Sequence, residues 1–172
     1  NYPQETAVNI LGKRNENGEW EWIRESVLAT TPELGIRINE VSLVATGEDT
    51  VYALARESGY LWKSEDRGAT WVRCGEQGAL HQPGLIKVDD NRVFCTWSRP
   101  TSPRPIYGKM FYLDQGWDAT QEKLIYRYPY GSIDMGDPSA VLTNDGKLLT
   151  IYYVTGLQII GGTFSDPDDW GP

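Results

Sequence analysis

Residues 59–71 read Gly-Tyr-Leu-Trp-Lys-Ser-Glu-Asp-Arg-Gly-Ala-Thr-Trp, and the order of residue types in them decides the fold. Tyr60, Leu61, Trp62 and Lys63 form the alternating, aromatic-rich run of a β-strand. A short polar turn follows. Asp66 is placed to accept hydrogen bonds from backbone N–H groups of that turn, the local habit of an aspartate side chain. Gly68 supplies a backbone shape that a residue with a Cβ resists. The chain then returns through Thr70, Trp71 and Val72, and the Trp71 indole packs beneath the turn, where it buries a large apolar area. The expectation is a β-hairpin closed by a self-bonded turn; an ordinary hairpin that happens to carry a tryptophan uses the same letters.

Outward from this hairpin the pattern repeats. Residues 41–45 and 51–56 read as strands joined by the turn Gly47-Glu48-Asp49, so four strands lie between about 41 and 74. The next unit has strands at 84–88 and 92–98 around Asp89-Asp90-Asn91, a proline-rich loop at 99–105, a third strand at 106–113 and a fourth at 123–126. Asp114-Gln115-Gly116 keeps part of the turn pattern of 64–71, without its serine and without a tryptophan at the same spacing. The last unit has strands at 139–142, 148–154 and 157–164, with the turn Asn144-Asp145-Gly146, and ends on Asp168-Asp169-Trp170. Upstream, residues 7–12 read as a strand, Asn15-Glu16-Asn17-Gly18 as a turn and Trp20-Glu21-Trp22-Ile23 as a second strand, before a connector at 25–39. Units of roughly 40 to 55 residues, each of four short strands, are the sequence form of propeller blades. No stretch reads as a helix.

The composition agrees. The chain has 172 residues with 7 Trp, 10 Tyr, 18 Gly and 10 Pro, a mix suited to short strands and tight turns. Its net charge of -8 disfavours nonspecific binding to nucleic-acid phosphates. No apolar run is long enough to span a membrane. His81 is the only histidine, which excludes histidine-rich metal sites and argues against a Ser-His-Asp triad. Cys74 and Cys95 have no metal-ligand spacing and are expected as two buried thiols. Nothing calls for a cofactor. The acidic turn residues Asp89, Asp90, Asp168 and Asp169 read as solvated turns rather than a calcium site.

The spacing Ser64-x-Asp66-x-Gly68-x-x-Trp71 resembles the Asp-box, the hairpin signature of sialidase-like, BNR-repeat β-propellers. In that family the box is structural and lies on the outer hairpin of a blade, away from the active site. The resemblance implies an all-β fold, a partial six-bladed propeller. Residues 1–24 would be the outer hairpin of a preceding blade, and 40–75, 82–127 and 137–172 would be blades of four strands. Six blades complete such a ring, so the chain resembles its C-terminal half. A half ring leaves open sheet faces, which implies a second chain or a second copy, or a longer protein. A secreted or periplasmic location also follows from the family.

The same resemblance implies a site. Glu40 precedes a strand, turn and strand ending in Arg56, the order of the segment that carries the catalytic glutamate and the second arginine of the carboxylate-binding triad in sialidases. A glutamate beside a tyrosine takes its proton and makes the phenolate a nucleophile; an arginine offers a carboxylate a planar fork of donors. Arg104, in Ser102-Pro103-Arg104-Pro105, stands where the third triad arginine is expected, with Arg99 as a competing choice. Asp137, in Gly136-Asp137-Pro138-Ser139, stands where the family has its nucleophilic tyrosine. A carboxylate still serves as base or nucleophile in glycoside hydrolysis, but it repels an anionic sugar; Tyr130 and Tyr152 are the candidate tyrosines in its place. The first triad arginine and the acid/base aspartate of the family belong to the other half. The expected function is therefore a sialidase-like glycoside hydrolase, or its C-terminal part, with Glu40 and Asp137 as catalytic carboxylates and Arg56 and Arg104 holding an acidic glycan. The alternatives are a non-catalytic glycan- or protein-binding propeller with aromatic platforms such as Trp97 or Tyr107 at its mouth, or a structural interaction module.

Overall fold

The computed structural model describes residues 6–30, 35, 37–130 and 134–172. Its thirteen strands lie in four antiparallel sheets, none closed into a barrel. β1 (Thr6–Arg14) and β2 (Trp20–Thr30) form a two-stranded sheet. β3 (Asn39–Ala45), β4 (Val51–Arg56), β5 (Tyr60–Ser64) and β6 (Val72–Glu76) follow in simple order. So do β7 (His81–Lys87), β8 (Arg92–Ser98), β9 (Ile106–Tyr112) and β10 (Lys123–Tyr126). The last sheet holds β11 (Met135–Leu142), β12 (Leu148–Val154) and β13 (Ile159–Ser165). It therefore has three strands where four are expected: after β13 the chain enters the 3-10 turn Pro167–Trp170, which buries Trp170 against Phe94 at 4.8 Å between rings. β2 also runs six residues deeper than 24 into the segment expected as a connector.

The hairpin turn at 64–71 is built by side chains. Gly68 N donates to Ser64 Oγ at 2.7 Å, and Ser64 Oγ donates to Asp66 Oδ1 at 2.8 Å. Asp66 then accepts from Thr70 N at 2.9 Å and from Thr70 Oγ1 at 2.7 Å. Gly68 lies at φ 79°, and the Trp71 ring fills the space beside it. The turn also docks the first sheet. Arg24 Nη2 donates to the carbonyls of Asp66 and Arg67 at 3.0 and 2.8 Å, and Ser26 Oγ donates to the Gly68 carbonyl.

Sheets stand side by side because each presents one apolar face to the next. Ala29 of β2 meets Ala53, Ala55 and Trp62. Tyr52, Leu54 and Leu61 meet Leu85, Val93, Trp97 and Phe111, with Tyr52 edge-on to Phe111 at 5.2 Å. Phe94, Met110, Leu148 and Trp170 fill one seam of the last pair, and Ile106, Met135, Tyr152 and Val154 the other. Each fully buried large side chain contributes about 2–3 kcal/mol of apolar transfer. Between neighbouring sheets, Leu85 N donates to Ser42 Oγ at 3.1 Å, and Thr96 Oγ1 donates to the Pro138 carbonyl at 3.1 Å. The first strands β3, β7 and β11 are thereby brought into a row. Cys95 is buried, but Cys74 is exposed, because β6 is the outer edge strand of its sheet; the expectation of two buried thiols is corrected for Cys74.

Candidate functional site

The three first strands start alike. Each breaks register just after its first residues, between Asn39 and Ser42, His81 and Gly84, and Gly136 and Ser139. Within each break sits one non-glycine residue at positive φ: Glu40 at 43°, Gln82 at 50° and Asp137 at 47°. Such bulges re-aim side chains beside functional sites, and left-handed non-glycine residues concentrate where the surrounding structure over-determines them. Here the result is convergence. Glu40, Gln82 and Asp137 line one cleft of about 410 Å³ that runs along β3, β7 and β11, with Val41, Pro83, Leu85 and Pro138 among its apolar walls. Antiparallel pairing brings the ends of the second strands to the same rim: Arg56 pairs with Asn39, Ser98 with His81, and Tyr153 with Gly136.

Gln82 ties two sheets together. Its Oε1 accepts from Ser98 Oγ and from the Asp137 backbone N–H, both at 3.1 Å, which fixes the amide orientation by its network. A Cβ on Gly136 would collide with that oxygen, so a side chain there would push the Gln82 amide out of this network. Tyr153 donates to Asp134 Oδ2 at 3.2 Å. Burial, and then the charge of Asp134, push its phenol pKa up. Tyr153 is thus a protonated donor, not a phenolate.

Both expected sugar-binding arginines are occupied. Arg56 pairs with Glu40 through Nη1 and with Glu57 through Nε at 3.1 Å. Arg104 pairs with Asp134. The competing Arg99 holds Glu122 at 2.5 Å and the Ala79 carbonyl at 3.0 Å. His81 is 8% exposed, its Nε2 lies 3.9 Å from Glu57, and its Nδ1 has no partner among the described residues. Burial, then Arg56, lowers its pKa, so it is neutral at pH 7. By contrast, no described side chain donates to the Asp137 carboxylate.

The other expected residues fall elsewhere. Trp97 is fully buried and forms no platform. Tyr152 is buried, stacked on Tyr126 and bonded to Thr163 at 2.9 Å. Tyr130 is 82% exposed and packs on Tyr128. Ser64, Asp66, Gly68 and Trp71 belong to the hairpin turn, apart from the cleft. Gln82, Asp134 and Tyr153 are the rim residues that sequence reasoning missed. A signal for Gln82 was present: Glu40-Val41-Ser42, Gln82-Pro83-Gly84 and Asp137-Pro138-Ser139 align as polar, apolar, small.

No protein-family model and no curated protein matches the sequence. Among solved structures, a protein of unknown function from Dyadobacter fermentans DSM 18053 superposes with a TM-score of 0.68 at 21% identity, over 94% of this chain and 49% of the other. The chain thus spans about half the length of that neighbour, and the likeness is one of fold.

Proposed function

We propose that the sheets are blades of a β-propeller, that further blades from a second chain, a second copy or a longer protein complete the ring, and that the cleft along β3, β7 and β11 is the axial carbohydrate site of a glycoside hydrolase related to the sialidase-like family. The observation that carries this reading is the threefold bulge, which delivers Glu40, Gln82 and Asp137 from three strands to one cleft. Two carboxylates facing one hollow are the parts that glycoside hydrolysis needs, one to protonate the leaving oxygen and one to attack or to activate water. In this reading Glu40, paired with Arg56, is the base or nucleophile, and Asp137, with no cationic partner among the described residues, takes the other role. Apolar walls beside planar polar side chains suit a sugar ring, which has C–H faces and hydroxyl edges.

The test is turnover of a panel of aryl glycosides covering neutral sugars, amino sugars and sialosides. Hydrolysis of at least one, with kcat lowered about 10²–10⁴-fold in E40Q and in D137N at unchanged thermal midpoint, is expected. Turnover unaffected by either substitution would sink the reading. The non-catalytic reading is favoured by one observation: Tyr153, the tyrosine at the rim, donates to Asp134, a carboxylate already paired with Arg104. Glycan binding in the cleft without turnover of any panel member would establish it instead.

A further inference from the structure

We infer that the sugar accepted by this cleft is uncharged, and that acidic sugars are rejected because the rim arginines are already occupied by the chain's own carboxylates. The inference rests on the carbohydrate reading above and narrows it. Recognition of a sugar carboxylate needs a guanidinium whose planar fork is open. Arg56 spends its fork on Glu40 and Glu57, and Arg104 is paired with Asp134. Arg99 is held by Glu122 and a backbone carbonyl. An incoming carboxylate would have to displace one of these, leaving an unpaired carboxylate beside it.

The charges around the hollow point the same way. Among the described residues, the carboxylates Glu40 and Asp137 line the cleft itself, while Glu57 and Asp134 hold Arg56 and Arg104. His81, near Arg56 and Glu57, adds no positive charge at pH 7, since burial lowers its pKa. The whole chain carries -8, so the long-range field also repels an anion. What the cleft offers is of a kind that hydroxyl groups can use. The Asp137 carboxylate accepts, and Ser42 and Ser139 lie along the walls. Val41, Pro83, Pro138 and Ala140 supply the apolar surface against which a ring's C–H face rests.

The experiment is an NMR or calorimetric titration at pH 7 of the whole chain with three probes of similar size: cellotetraose, the fully deacetylated glucosamine tetramer and 3′-sialyllactose. Cellotetraose is expected to bind with perturbations at the cleft, and sialyllactose at least tenfold more weakly. The decisive arm is D134A, which frees Arg104: it should strengthen sialyllactose binding at least threefold and leave cellotetraose within twofold. E57Q, which releases Arg56 Nε from its carboxylate, provides the same readout should D134A fail to fold. Sialyllactose binding as tightly as cellotetraose, or no gain in either variant, overturns the inference while leaving the carbohydrate reading in place. Glucosamine tetramer binding more than tenfold tighter than cellotetraose, lost in D137N, overturns it in favour of a cationic ligand. Failure of all three probes to bind removes the carbohydrate reading and the inference with it.

Discussion

Asp66 accepts from Thr70 N, Thr70 Oγ1 and Ser64 Oγ, and its charged form is what those donors favour. The Thr70 backbone bond is the largest of the causes that hold its pKa down at about 2, against an ordinary 3.8. A carboxylate with a folded pKa below its unfolded one contributes stability above the unfolded value and loses it as pH falls through the folded one. The hairpin should therefore be fully supported above pH 4 and lose support between pH 4 and 2. D66N should lower the thermal midpoint at pH 7 and flatten its slope across that acid window; an identical acid slope in the two proteins would show that the turn does not depend on the ionised group. This residue was legible in the sequence because all of its partners lie within four positions. Gln82 was not, because it acts on a backbone N–H 55 positions away. Neither were the pairings of Arg56 and Arg104, since sequence order places an arginine at a rim without saying which carboxylate reaches it first.

At the scale of elements, the seam between β7 and β11 is closed by proximity of backbone rather than by side-chain bulk. A Cβ on Gly84 would stand 2.8 Å from the Pro138 carbonyl and 2.8 Å from Thr96 Oγ1, and neither is the free end of a flexible side chain. G84A should therefore part the two strands and cost roughly 1–3 kcal/mol, as overpacking does. Urea denaturation measures this directly, with G146A, whose added Cβ meets open space, giving the contribution of a strained turn alone. A midpoint for G84A at or above wild type would mean the seam is looser than drawn. All thirteen strands overlap the stretches where alternation and turn residues put them, because those signals are local. The departure is the fourth strand of the last sheet, where no strand follows β13 and a 3-10 turn takes its place. The bulges were hidden for a different reason: a break in register belongs to a pair of strands, and a single strand's alternation carries no trace of it beyond the shared polar-apolar-small triplet.

The whole molecule is a row of sheets whose two outermost faces have no cover among the described residues. On the first sheet Val8, Ile10, Trp22 and Val27 are exposed, Trp22 at 72%; on the last, Val141, Ile151, Ile160 and Phe164 are exposed, Ile160 at 73%. Apolar patches of this kind mark interaction surfaces. β13 compounds this, because it is an edge strand whose sequence, Ile159–Ser165, contains no charged residue and no proline, the devices by which edges are kept from pairing. In the proposed ring, further blades stand against both faces. Taken alone at about 100 µM, the chain is then expected to associate, and the double substitution I160K/F164K should restore a monomer without changing the affinity of the cleft for cellotetraose, since neither residue lines it. Sedimentation velocity over a hundredfold range of concentration provides the check. The charged pair acts at once on the apolar face and on the strand edge, and I160K alone separates them: it leaves Phe164 to bury but places a lysine on the edge. A wild-type chain that stays monomeric throughout would mean these faces need no cover, and the half-ring reading would lose the physical demand on which completion by further blades is argued.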